Sequence, residues 1–271
     1  MATVTQRLTA VPIVNVMAQA AFKAARALIR DFNEVENLVV TDKGAGDFVS
    51  TADTRAEKII AKELEKSYPN YGFLMEEQGA VGNQDTYWVI DPLDGTYNFL
   101  HSIPHFCISI ALIKNGQPYA GIIYDPMRDE LFWTEKGRGS FLNNRRLRIS
   151  PRKELRGSLV MAVLHNVYTP SRAPHERACF DELFKQTRFR VFGSAALNLA
   201  YIAAGRADIF VGFGMQQWDV AAGNLIVQEA GGSLSPFDPR QDIWSGETLI
   251  ATNDQLIVPV ERIFKSFCKK A

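Results

Sequence analysis

The chain has 271 residues, with 30 Lys and Arg against 30 Asp and Glu, four His and three Cys. At about 100–200 residues per domain, that length fits one large domain or two small ones, and 46% hydrophobic with 22% charged residues is the make-up of a soluble globular protein. Zero net charge argues against an electrostatically driven nucleic-acid binder, so any anionic ligand must be held by a local cluster or by a bound cation. Cys107, Cys179 and Cys268 are too few and too scattered for a disulfide framework or a zinc pattern, and read as reduced, buried thiols.

Residues 8–22 carry no charge and end near Ala18-Gln19-Ala20, which faintly imitates a signal-peptide cleavage site. Pro12, Asn15 and Gln19 interrupt the run, Lys23 and Arg26 continue a helical pattern, and the stretch is shorter than the roughly 20 apolar residues of a membrane span. The reading is an amphipathic helix over about 12–31 in a cytoplasmic protein with no membrane partner. A second helix is expected from Thr54 to Ser67, with Ile59, Ile60 and Leu64 on one face and Asp53 as its N-cap. Strands then follow at Tyr87–Ile90, Phe106–Ile113, Tyr119–Asp125 and Glu130–Thr134, separated by turn signals such as Asn115-Gly116 and Asp125-Pro126. They read as an antiparallel meander. A further strand is expected at Ser158–Val163, after the charged segment Arg145–Arg156.

The last third alternates: a buried helix at Ala195–Ala204, a strand at Asp208–Gly212, a helix at Asp219–Ala230 closed by Gly231-Gly232, a strand at Thr248–Ala251 and a helix at Val258–Lys269. No repeat, low-complexity stretch or linker appears. The pattern fits an α/β (α+β) layered architecture over residues 1–271 as one unit, with a subdomain division near 145–155.

The chemistry concentrates in Trp88-Val89-Ile90-Asp91-Pro92-Leu93-Asp94-Gly95-Thr96-Tyr97-Asn98-Phe99. An apolar strand runs into a turn that carries two carboxylates three residues apart. Pro92 stiffens that turn and Gly95 permits a backbone conformation that a Cβ would oppose. Two acids with the Leu93 carbonyl between them form a hard, all-oxygen cluster of the kind that suits Mg²⁺, and the N–H groups of Gly95 and Thr96 follow at a helix start that suits phosphate. Glu76 and Glu77 precede this segment, Asp47 and Asp53 lie in GDFVSTAD, and Asp219 follows Trp218 at a helix start. Taken singly, each of these acids is an ordinary turn or cap residue.

Together and in this order, the segments resemble the inositol monophosphatase family of Mg²⁺-dependent, lithium-sensitive phosphatases. WVIDPLDGTYNF and WDVAAGNLIVQEAGG carry most of the resemblance, with GDFVSTAD, GIIYDP, GRGSFLNNRRLRIS and GSAALNLAYIAAG between and around them. The short interval from Glu76 to Asp91 is similar to that of the small, bacterial-type members. The resemblance implies a layered α-β-α-β-α sandwich of the sugar-phosphatase type and a homodimer. It also implies two or three Mg²⁺ held by Glu76, Asp91, the Leu93 carbonyl, Asp94 and Asp219. Thr96 would orient the attacking water, Asp47 would assist that water or a third, weaker metal, and Glu76 would share in catalysis. Asp94, Gly95, Thr96 and the Gly193-Ser194-Ala195 turn would contact the substrate, a small phosphorylated metabolite. Small members of the family usually carry a Glu seven residues before the second-signature Asp, where it meets substrate hydroxyls. Here that position is Gly212. The resemblance therefore implies an inositol-1-phosphatase-like phosphomonoesterase whose substrate stays open, with histidinol phosphate or a nucleotide such as 3′-phosphoadenosine 5′-phosphate as alternatives. A protein-interaction role with the transcription machinery is a further alternative. His101 and His105, in FLHSIPHF, are expected to serve structure through ring stacking or a backbone hydrogen bond.

Overall fold

A computed structural model describes residues 11–44, 47–164 and 173–268, with side chains described outside 42–44, 47–49, 173–177 and 265–268. Helix α1 (Pro12–Phe32) starts with Pro at its first position, where a missing N–H costs nothing. A hairpin of β1 (Val40–Gly44) and β2 (Asp47–Ser50) leads directly into α2 (Thr51–Ser67). The N-cap of α2 is Ser50, and Asp53 is the third helical residue, its carboxylate accepting from the Ser50 N–H at 2.9 Å. Asp53 is thus half of a capping box rather than the cap itself.

The strands β3 (Gly72–Met75), β4 (Gly79–Val81), β5 (Thr86–Asp94), β6 (Cys107–Lys114), β7 (Gln117–Asp125), β8 (Glu130–Glu135), β9 (Ser140–Leu142) and β10 (Arg145–Arg146) form one eight-stranded sheet in the order β10-β9-β8-β7-β6-β5-β3-β4. From β5 to β8 it is the expected antiparallel meander, which β9 and β10 extend, and β3 joins β5 in parallel. The second sheet takes β11 (Leu159–Leu164), β12 (Arg188–Arg190), β13 (Ile209–Phe213), β14 (Ser233–Ser235) and β15 (Thr248–Thr252), in the order β12-β11-β13-β15-β14. The passage from one sheet to the other falls between Arg146 and Leu159.

Strand periodicity decides the layering, because successive side chains face opposite sides. On β5, Trp88 and Ile90 enter a core shared with α1 and α2, while Val89 enters a core shared with α5 (Ala195–Ala203) and α6 (Gln217–Glu229). On β13, Phe210 joins that same middle core, and Ile209, Val211 and Phe213 join a third, with Phe180 of α4 (Ala173–Gln186) and Phe264 of α7 (Ile257–Cys268). The result is five layers: α1 and α2, the eight-stranded sheet, α5 and α6, the five-stranded sheet, α4 and α7. This is the α-β-α-β-α sandwich that the resemblance implies. Cys107 and Cys179 are buried free thiols, and the Cys268 side chain lies outside those described. No helix among the described residues is long and apolar enough to cross a membrane.

Candidate active site

Residues three apart on a regular strand face opposite sides, so Asp91 and Asp94 need a device to act together. Asp91 stands opposite Ser109, and Asp94 opposite Cys107. Three steps on β5 therefore match two on β6, a bulge that returns Asp94 to the face already occupied by Asp91. The expected turn is thus built inside the strand, with the Leu93 N–H donating back to Asp91 Oδ1 at 2.9 Å. Gly95 then turns the chain at φ +101, where a Cβ would stand 3.0 Å from the His105 carbonyl oxygen, and α3 (Thr96–Leu100) begins.

The face in question is the one covered by the middle helices, and both of them start here. The N-cap of α5 is Ser194; its hydroxyl donates to Asp94 Oδ2, the Ala195 N–H to Oδ1 at 3.1 Å and the Ala196 N–H to Oδ2 at 2.8 Å. The N-cap of α6 is Gln216, not Asp219, whose Oδ2 accepts the Gln216 N–H at 2.7 Å from the third helical position. Ser109, opposite Asp91, donates to the Trp218 carbonyl at 3.3 Å and ties α6 to β6. Two helix N-termini, each a partial positive charge, thus converge on the acids of β5.

One carboxylate oxygen from each of Asp91, Asp94 and Asp219 lies within 4.8 Å of the others. Asp91 and Asp94 are buried, at 2% and 8% exposure. Burial, followed by the charges of Glu76, Asp94 and Asp219, pushes the Asp91 carboxyl well above its ordinary value. Burial raises Asp94 as well, against the lowering pull of its four donors, Ser194, Ala196, Ala195 and Cys107. Burial and the neighbouring Asp94 and Asp91 charges keep the Cys107 thiol protonated, its pKa well above the usual range. Glu76 stands outside the 4.8 Å group, at the end of β3, where its N–H bonds the Ile90 carbonyl at 3.2 Å and its charge is felt at Asp91. The turn that carries it is held by Glu57, which is fully buried and accepts from the Glu77 N–H and Gln78 Nε2, both at 2.9 Å. Nothing in the sequence marks Glu57 apart from an ordinary helix carboxylate.

Thr96 sits with its hydroxyl oxygen 3.0 Å from the Leu93 carbonyl oxygen and 3.0 Å from Asp53 Oδ1. Asp53 is fully buried, and burial lifts its pKa above the ordinary carboxylate value. The sequence places Asp53 only at the start of a helix, and the resemblance implies Asp47 as the acid that assists the attacking water or a third, weaker metal. Asp47 begins β2, and its side chain lies outside those described. Ser194 is fully buried with its hydroxyl on Asp94, Gly193 has a positive φ of 75, and Ala195 is 5% exposed. His101 meets Tyr97 at 4.5 Å between ring centroids, and His105 meets Phe192 at 5.0 Å, each pair tilted by 49° rather than stacked.

Three acids brought together with two of them buried leave negative charge that the surrounding donors only partly offset. Such a site fits a hard divalent cation with oxygen ligands. The family model described as "Inositol monophosphatase family" matches residues 10–267. The chain is 48% identical over 244 residues to an inositol-1-monophosphatase of Mesorhizobium japonicum, covering 89% of this chain and 92% of that one. It is 44% identical over 265 residues to the Nus factor SuhB of Xylella fastidiosa, covering 94% and 95%. Among solved structures, the extragenic suppressor protein suhB of Bartonella henselae superposes with a TM-score of 0.89 at 44% identity, over 94% of this chain and 99% of that one. The chain belongs to the inositol monophosphatase family.

Proposed function

We propose that the protein is a Mg²⁺-dependent phosphomonoesterase of the inositol-1-phosphatase type, acting on a small phosphate monoester by in-line attack of water. The observation that carries the reading is the meeting of Asp91, Asp94 and Asp219 within 4.8 Å at the β5 bulge. Glu76, Asp91, the Leu93 carbonyl, Asp94 and Asp219 would hold the cations. Bound there, two or three Mg²⁺ would neutralise the phosphate, activate the attacking water and stabilise the leaving alkoxide. The Thr96 hydroxyl orients the water, and we assign the carboxylate that takes up its proton to Asp53, at Oδ1, whose raised pKa makes it a stronger base than an exposed Asp. The N–H groups of Gly95 and Thr96 and the Gly193 turn would face the phosphate. The same reading includes a cytoplasmic homodimer and sensitivity to Li⁺, with histidinol phosphate or a nucleotide such as 3′-phosphoadenosine 5′-phosphate as the alternative substrate.

The test is a phosphate-release screen over phosphorylated metabolites with and without Mg²⁺. Mg²⁺-dependent release is expected, and Asp91→Asn or Asp219→Asn should lower kcat/KM by roughly a hundredfold or more, about 2.7 kcal/mol of transition-state stabilisation. No metal-dependent release on any substrate, or folded variants with normal rates, would overturn the reading.

A second reading, a protein-interaction role with the transcription machinery, is favoured by the Nus factor and suhB names of two of the matched relatives. Co-purification of transcription proteins with an Asp219→Asn variant that has lost phosphatase activity would establish it as a separate property.

A further inference from the structure

We propose that Ser194 is a positioning residue for Asp94 and that it decides which Asp94 oxygen is left for a cation. The inference rests on the metal reading above. Ser194 is fully buried at the N-cap of α5, where its oxygen also accepts the Leu197 N–H at 3.3 Å. Its hydroxyl donates to Asp94 Oδ2. The same oxygen accepts the Ala196 N–H at 2.8 Å and faces the Cys107 thiol at 3.5 Å. Among the described residues, Oδ1 accepts only the Ala195 N–H, at 3.1 Å.

A carboxylate offers about four lone-pair sites, two on each oxygen. Three donors exhaust Oδ2, whereas one donor leaves Oδ1 with room for a ligand bond. Asp94 is therefore a one-oxygen ligand, presented through Oδ1. Asp91, by contrast, takes one backbone donor, from Leu93. The donor set pins Asp94 at its inner oxygen before any cation arrives, so rotation of its carboxyl group is already restricted. Ser194 is the only side-chain hydroxyl in that set, and the Cys107 thiol is the weaker companion. Outer groups of this kind set ligand orientation, and their loss typically weakens metal affinity about 10–100-fold.

The experiment measures Mg²⁺ binding by titration calorimetry on wild type, Ser194→Gly and Ser194→Ala, with thermal melts alongside. Glycine is tolerated at an N-cap almost as well as serine, so Ser194→Gly removes the donor and largely spares the helix. Both variants are expected to bind Mg²⁺ at least tenfold more weakly. A purely structural cap would lower Tm and leave Mg²⁺ affinity unchanged, and that result in Ser194→Gly overturns the inference while the proposed function stands. Wild type that takes up no Mg²⁺ overturns the metal reading and the inference with it. A Mn²⁺-loaded crystal structure with the metal on Oδ1 alone supports the inference, and metal on Oδ2 refutes it.

Discussion

The hydroxyl of Thr96 lies 3.0 Å from a carboxylate oxygen of Asp53, a residue 43 positions earlier in the chain. It also lies 3.0 Å from the carbonyl oxygen of Leu93. A hydroxyl has a single proton, so it can donate to only one of these acceptors at a time. A cation held at the Leu93 carbonyl would repel that proton and direct it to Asp53, leaving the Thr96 lone pairs free for a water. Thr96→Val and Asp53→Asn are therefore expected to lower kcat about a hundredfold or more, with Mg²⁺ affinity nearly unchanged, whereas Thr96→Ser keeps most of the rate. Steady-state kinetics beside calorimetric Mg²⁺ titration decides it. A loss confined to metal affinity would argue against the arrangement.

The acids of the cluster should weaken the metal-free protein. Asp91 is buried beside three other carboxylates, and its raised pKa records the cost of charging it there. Asp91→Asn is expected to raise Tm without Mg²⁺, by about 2–4 °C for each kcal/mol of repulsion removed. The same variant should lose most of the Tm rise that wild type shows on adding Mg²⁺. Scanning calorimetry with and without Mg²⁺ is the measurement, and a lower metal-free Tm for Asp91→Asn would count against it.

His105 gives a pH signature of opposite sign. Burial, with a smaller push from Arg128, lowers its pKa to about 4. Its Nε2 is buried without a hydrogen-bond partner among the described residues. The unfolded chain, titrating near 6.5, binds the proton first as pH falls, so His105 costs stability progressively from about pH 6.5 down to about pH 4 and adds no further loss below that. The full effect is no more than about 3 kcal/mol. Urea midpoints of wild type and His105→Phe, compared from pH 7.5 to 4, should diverge in this window, with wild type falling faster. Parallel curves would contradict the assignment.

Gly212 corrects an expectation about substrate choice. Read from the sequence alone, Gly212→Glu would restore a contact to inositol hydroxyls wherever φ is not positive. Gly212 lies in β13 without a positive φ, yet a Cβ there would stand 2.5 Å from Met215 Cε, 2.7 Å from its Sδ and 2.8 Å from Phe210 Cζ. The space is already filled by a thioether and a ring. Gly212→Glu is expected to destabilise the fold by about 1–3 kcal/mol through overpacking, and Met215→Ala in the same chain should recover part of that. For the wild type, inositol 1-phosphate should be no more than about tenfold better in kcat/KM than glycerol 2-phosphate, a difference of ~1.4 kcal/mol. A thousandfold preference would refute it.

The elements legible in the sequence are those whose apolar pattern is long or whose ends carry turn and cap residues: α1, α2, the β5–β8 meander, β11, α5, β13, α6, β15 and α7. The strands β3, β4, β9, β12 and β14 are too short for period to show, and α4 is more polar overall than α5 or α6. Asp53 and Asp219 were placed at helix starts, but one turn early in role. An Asp that caps a helix and an Asp at the third position that reaches back to the cap N–H satisfy the same orphan donors and leave similar traces in a sequence. The acids of the cluster were legible because each belongs to a segment that stands out by itself. The Thr96–Asp53 pair, the Glu57 anchor and the burial of Ser194 against Asp94 were not, since each joins residues at least 20 positions apart whose meeting depends on the packed layers.

The bulge on β5 makes the site a matter of parity. With the extra residue in place, an odd interval behaves as an even one, and both acids look toward the middle helices. Removing one residue between Asp91 and Asp94 would take out the bulge and leave the acids an even interval apart, still on one face, whereas adding one while the bulge stays would turn a carboxylate toward the side where Trp88 and Ile90 pack against α1 and α2. The segment is therefore less open to insertion than to deletion: an added residue sends a charge into an apolar interior, while a removed one keeps both acids on one face and takes away a backbone carbonyl between them.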